Sequence, residues 1–173
     1  MAEYPTSRVW SPFTQMKAAV PTLNVCSGSG AVLELQDGRR LLDCISSWWV
    51  TLHGHAQPEI AAAIAVQAQK LEQVLAAGFT HRPAEELARR LVDSLPASLQ
   101  WVFYSDDGST AVEVALKLAY QFWHNTGQPD RRRFLRLEGA YHGDTLGAMS
   151  LGERSLFAAA FVDLLFPAEA VPF

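Results

Sequence analysis

Only two cysteines occur in the 173 residues, Cys26 and Cys44, and they form no close pair, which suggests a reduced, intracellular protein rather than a disulfide framework. An excess of either charge is missing as well. Fourteen Lys and Arg stand against 18 Asp and Glu, a formal net charge of −4, which offers no broad basic surface. The single basic run, Arg131-Arg132-Arg133, reads as a solvated loop, so no nucleic-acid partner is expected. No long apolar stretch precedes Arg8, which argues against a signal peptide, and no uninterrupted apolar segment reaches membrane-spanning length. The expected setting is cytoplasmic. Internal repeats, low-complexity tracts, zinc-ligand spacing, a serine elbow and a complete P-loop are all lacking. Ser27-Gly28-Ser29-Gly30 lacks the third glycine and following helix of a dinucleotide fingerprint, and it reads as a turn.

What is present is a core-forming composition: 49% apolar and 18% charged residues, in a length that suits one domain or a piece of a larger one. Pro5, Pro12 and Pro21 keep the first thirty residues irregular, and Trp10 and Phe13 are expected to anchor this arm by burying their rings. Asp37-Gly38, flanked by Ala31-Val32-Leu33-Glu34-Leu35 and Arg39-Arg40-Leu41-Leu42, is a hairpin signal. The adjacent indoles of Trp48 and Trp49 either pack in the core or line a pocket. His53 and His55 follow on one side of an extended segment, without the acidic or thiol neighbours of a metal site.

Pro58 opens a helix whose apolar face is Ile60, Ile64, Ala68, Leu71 and Leu75, ending at or near Gly78. Pro83 opens another, with Leu87, Leu91 and Leu95 facing inward and Pro96 as the stop. Trp101-Val102-Phe103-Tyr104 and Phe134-Leu135-Arg136-Leu137 read as buried strands. Between them runs a helix marked by Val112, Ala115, Leu116, Ala119, Phe122 and Trp123, with Glu113 and Lys117 expected to pair on its outer face. Helix, strand, helix, strand with short links predicts an α/β fold with a mainly parallel sheet flanked by helices. Residues 157–166 are strongly apolar and are expected to be buried in a complete fold.

The chemistry concentrates at the strand ends, where open parallel sheets bind ligands. Gly108 and Ser109 start a helix after a strand, so free N–H groups and the helix dipole make an anion site there, unless Ser109 merely caps the helix. Tyr141-His142-Gly143 occupies a second strand end, where a tyrosine can stack on a flat heteroaromatic ring. A phosphate with a ring means a nucleotide or pyridoxal phosphate. His142 is either a general base or a hydrogen-bonded structural histidine.

Together these residues resemble the class-III, fold-type-I aminotransferases that use pyridoxal 5'-phosphate (PLP), and among them the biotin-pathway members. The likeness runs through Trp10-Ser11-Pro12-Phe13-Thr14-Gln15-Met16, Asp37-Gly38-Arg39-Arg40-Leu41-Leu42-Asp43, Ser46-Ser47-Trp48-Trp49, Phe79-Thr80-His81, Asp106-Asp107-Gly108-Ser109-Thr110-Ala111-Val112-Glu113 and Tyr141-His142-Gly143-Asp144-Thr145. It implies that Gly108 and Ser109 bind the cofactor phosphate, and that Tyr141 lies by its ring and by the substrate. By the same resemblance Phe13, Trp48 and Trp49 line the substrate site. S-adenosylmethionine would be the amino donor and 8-amino-7-oxononanoate the acceptor, within a homodimer.

Residues 1–56 would then be the arm and hairpin of the small domain, and 57–173 the incomplete start of the large PLP-binding domain. Two positions depart from the family pattern. Phe13 stands where a tyrosine is usual, which removes one hydrogen bond worth about 1 kcal/mol. Asp107 replaces a small hydroxyl residue before the phosphate glycine, placing a carboxylate beside an anion site. None of Lys17, Lys70 and Lys117 matches the context of the Schiff-base lysine, so the expectation is an inactive N-terminal portion of such an enzyme. The alternatives are a portion of another class-III ω-amino acid aminotransferase, or a non-catalytic phosphate-binding or interaction remnant.

Overall fold

A computed structural model of the protein describes residues 8–173, so Pro5 and the beginning of the expected irregular arm lie outside the described residues. The chain divides into two compact units, one ending at His81 and the other spanning Arg82–Phe173.

In the first unit the arm is held by local bonds rather than by burial. The Trp10 indole N–H donates to the Thr14 carbonyl at 3.0 Å, the Thr14 hydroxyl donates to the Pro12 carbonyl, and the Trp10 and Phe13 rings stay exposed. A three-stranded antiparallel sheet follows in the order β1 (Val25–Ser29), β2 (Val32–Leu35), β3 (Arg40–Leu42). The expected hairpin is present, with Leu33 opposite Leu41 and Gly38 at φ +85° in its turn. Ser27-Gly28-Ser29 belongs to strand β1 and is not a turn. Its glycine serves a close approach: a Cβ at Gly28 would lie 2.9 Å from Cβ of His55. Gly30 and His55 exchange both main-chain hydrogen bonds, at 3.2 and 2.8 Å, which docks the segment after the tryptophans on this sheet.

A single helical turn, α1 (Ser46–Trp49), comes next, then α2 (Pro58–Lys70). Proline at its first turn and the Gln57 side chain, which accepts the Ile60 N–H at 2.9 Å, start α2. It ends before Gly78 because Leu71 is already extended, at φ −171°.

The second unit opens with α3 (Arg82–Asp93), where Glu86 pairs with Arg89 and Arg90, whose hydrogen bonds lower its carboxyl to about 2. α4 (Gly108–Asn125) follows, and then β4 (Phe134–Leu137) pairs in parallel with β5 (Ala168–Val171), Phe134 opposite Ala168 and Leu137 opposite Val171. The crossover carries α5 (Leu146–Leu151) and a 3₁₀ turn, Ala159–Leu164. Ser150 is fully buried there. Its hydroxyl donates to the Leu146 carbonyl and accepts the Phe166 N–H, while Phe166 packs on Phe134. Residues 101–104 are not a strand: a strand needs a ladder partner, no described segment pairs with them, and Trp101 is 93% exposed. Phe157, Phe161 and Leu164 of the apolar stretch 157–166 are exposed too, as are Leu87 and Leu91 of α3 and Leu95 just after it. No helix among the described residues is long and apolar enough to cross a membrane.

Candidate functional site

At the N-terminus of α4 Ser109 is not the cap. Asp107 is the capping residue: its carboxylate accepts the Thr110 N–H at 2.8 Å, and Thr110 Oγ1 accepts the Asp107 N–H at 3.0 Å. The carboxylate that looked hostile to an anion is thus turned onto its own helix. Ser109 is released from capping, and its Oγ accepts the Asp144 N–H at 3.1 Å across 35 residues. Gly143 makes this approach possible. It sits at φ +122°, and a Cβ there would overlap Ser109 Oγ and come within 2.7 Å of Ser109 Cβ.

Among the described residues nothing accepts the N–H groups of Gly108 and Ser109, and a Cβ at Gly108 would meet no atom within 4 Å. Two open main-chain donors, a hydroxyl whose proton is not committed, and the positive end of an 18-residue helix suit a phosphate group.

Tyr141 belongs to the same cluster through Asp144. The phenol donates to Asp144 Oδ2 at 3.0 Å, a bond that raises its pKa and keeps it protonated, while the ring is 70% exposed. The chain therefore brings Ser109 and the Tyr141 loop together, although no strand precedes Gly108. His142 is exposed with no hydrogen-bond partner among the described residues, so it is not the bonded structural histidine.

Glu113 was missed. It does not lie on the outer face with Lys117 but turns to α5, where Oε1 accepts the Thr145 hydroxyl at 2.6 Å and the N–H groups of Gly147 and Ala148 at 2.7 and 3.2 Å. Those bonds, the one from Thr145 foremost, hold its carboxyl below the usual carboxylate range. They fix the end of the Tyr141 loop to α4. The one signal in the sequence was Gly147, whose lack of a side chain lets the carboxylate in. A groove of about 660 Å³ along α4, lined by Tyr120, His124, Phe134 and Phe166, contains none of the expected cofactor or substrate residues.

In the first unit the tryptophans are not core residues: Trp48 is 52% and Trp49 71% exposed. They sit on α1, whose four residues all have positive φ: 49, 45, 67 and 68°. Such a left-handed turn costs L-residues about 1–2 kcal/mol each. The Trp49 and Val50 N–H groups bond back to Ile45 and Ser46 at 2.8 and 2.9 Å, but net gains of about 0.5–1.5 kcal/mol per hydrogen bond do not offset four strained residues. Phe13, itself at φ 52°, meets Trp48 edge-on with ring centroids 5.9 Å apart, so two of the expected substrate residues form one aromatic wall.

Comparison with known proteins gives the class: this chain belongs to the class-III aminotransferase family, whose profile matches residues 14–172. Members of that family are PLP-dependent, and the chain has the α/β, fold-type-I architecture of these transaminases. Its similarity to particular proteins is narrower. It is 61% identical to adenosylmethionine-8-amino-7-oxononanoate aminotransferase of Synechococcus elongatus, over 95% of this chain and 39% of that protein. The enzyme of the same name from Geobacter sulfurreducens is 42% identical over 99% of this chain and 38% of its own length.

Among solved structures, the Methanocaldococcus jannaschii enzyme of that name superposes with a TM-score of 0.89 at 40% identity, covering 96% of this chain and 38% of that one. A PLP-bound amine transaminase from an uncultivated Pseudomonas species gives 0.82 at 32% identity, again over 96% and 38%. The chain thus spans 38–39% of the length of these relatives.

Proposed function

We propose that this chain supplies the cofactor-phosphate turn and an aromatic substrate wall of a cytoplasmic, homodimeric aminotransferase of biotin synthesis. In this reading S-adenosylmethionine gives its amino group and 8-amino-7-oxononanoate receives it, yielding 7,8-diaminononanoate. The observation that carries the reading is the contact of Ser109 with the Gly143-Asp144 main chain, which leaves the Gly108 and Ser109 amides open beside an exposed Tyr141 ring. The Gly108 and Ser109 N–H groups and the Ser109 hydroxyl would hold the phosphate of PLP, and the Tyr141 ring would lie against its pyridine. Bound there, PLP would supply the electron-withdrawing ring that lets an amino group leave one substrate and enter another.

Phe13, Trp48 and Trp49, together with Tyr141, would contact the substrate. Aromatic surface suits the aliphatic chain of the oxononanoate and shields the reacting carbon from water. Residues 1–56 would belong to the small domain and 57–173 to the cofactor-binding domain. By the family resemblance none of Lys17, Lys70 and Lys117 matches the context of the Schiff-base lysine, so residues 1–173 by themselves would not transaminate.

The test is an amino-donor screen of the intact protein. S-adenosylmethionine should convert its PLP form to the pyridoxamine form, and 8-amino-7-oxononanoate should reverse the change. Turnover with ω-amino acids and none with S-adenosylmethionine would replace this reading by a different class-III specificity. Ser109→Ala should weaken PLP binding by about tenfold, the loss of one charge-assisted hydrogen bond.

A further inference from the structure

The strained tryptophan turn needs a tether beyond its own main-chain bonds, and one carboxylate provides it. Asp43 follows β3, and its side chain is only 6% exposed. Its N–H donates to the Ala31 carbonyl at 2.8 Å, which fixes it to the sheet. Oδ2 accepts the Ser47 hydroxyl at 2.8 Å and lies 2.8 Å from His55 Nε2, while Oδ1 accepts the Ile45 N–H at 3.3 Å. His55 is itself 16% exposed, bonded through its main chain to Gly30 and packed by its ring onto Gly28. The hydrogen bonds from Ser47 hold the Asp43 carboxyl well below the usual carboxylate range, so the acceptor stays charged. Rigidity therefore passes from the sheet, through Asp43 and His55, to Ser47, the residue directly before Trp48.

We propose that Asp43 is a positioning residue: its carboxylate, braced by His55, holds Ser47 in the left-handed turn and thereby fixes the direction in which the Trp48 and Trp49 indoles project. The consequence for catalysis rests on the reading of those indoles as a substrate wall. A fixed wall selects a bound pose without touching the reacting atoms, so its loss weakens acceptor binding more than turnover.

The experiment uses the intact protein labelled with 5-fluorotryptophan, with the ¹⁹F resonances of Trp48, Trp49 and Trp123 assigned by single Trp→Phe variants. Asp43→Asn and, separately, Ser47→Ala should shift or broaden the Trp48 and Trp49 resonances together and leave Trp123, in the second unit, unmoved. With 8-amino-7-oxononanoate as acceptor, both variants should raise KM about tenfold and keep kcat within about threefold. Trp48 and Trp49 resonances unchanged in both variants would overturn the tether. Moved resonances with an unchanged KM would keep the tether and refute the substrate wall. Should Asp43→Asn displace Trp123 as well, Ser47→Ala, which removes one exposed hydroxyl, decides between the two results.

Discussion

A single methyl group at Gly143 should detach the Tyr141 loop from the N-terminus of α4. Built onto the existing backbone, the alanine Cβ would overlap Ser109 Oγ and stand 2.7 Å from Ser109 Cβ and 3.0 Å from its Cα. Rotation of the serine side chain relieves only the first of these, because Cβ and Cα are fixed in the first turn of α4. The φ of +122° adds backbone strain of about 1–3 kcal/mol, and overpacking adds about 1–3 kcal/mol more. The loop escapes both by giving up the bond from the Asp144 N–H to Ser109 Oγ.

Native-state hydrogen exchange of the Asp144 amide in the intact protein reads this event directly. Gly143→Ala should speed its exchange by about 30-fold or more, the equivalent of the smallest combined penalty of about 2 kcal/mol. Ser109→Gly removes the two side-chain atoms that clash and with them the acceptor of the Asp144 N–H, so the double variant should exchange no faster than Ser109→Gly alone, a non-additivity of about 0.5–3 kcal/mol expected for touching residues. Exchange within threefold of the parent in Gly143→Ala, or strictly additive effects, would refute the argument.

Asp107→Asn keeps a capping oxygen but removes a charge, so the urea midpoint should hold while inorganic phosphate binds severalfold more tightly; Asp107→Ala should lose about 1 kcal/mol of stability. The depressed carboxyl of Asp43 contributes stability that is present above the ordinary aspartate value of about 4 and is lost as the pH falls below it. The Trp48 and Trp49 resonances should therefore disorder on acidification, and Asp43→Asn should flatten that profile; a parent profile as flat as the variant's would count against the pairing. A polypeptide of residues 1–173 alone exposes 14617 Å², whereas even two separate bodies of half its mass would expose about 10,100 Å². It should bind a hydrophobic dye and self-associate at micromolar concentration, and a soluble monomer with cooperative unfolding would contradict this.

The sequence by itself determined whatever depends on near neighbours. Asp37-Gly38 fixed the hairpin because its turn demands a positive φ, and Pro58 and Pro83 marked helix starts because proline is tolerated only there. The start of α4 at Gly108 and the turn after β4 were legible for the same reason, each being a signal a few residues long. Tertiary structure decided the rest, since it turned on partners far along the chain. Asp107 rather than Ser109 caps α4 because Ser109 is engaged by Asp144, and Glu113 faces α5 because Thr145 and two amides claim it. Gly28 lies in a strand because His55 packs on it, and Trp101 to Tyr104 form none because no ladder partner among the described residues lies beside them. The left-handed path of Ser46–Trp49 is the sharpest case: local preference opposes it at every residue, and contacts made through Asp43 to the distant His55 and the sheet help to hold it.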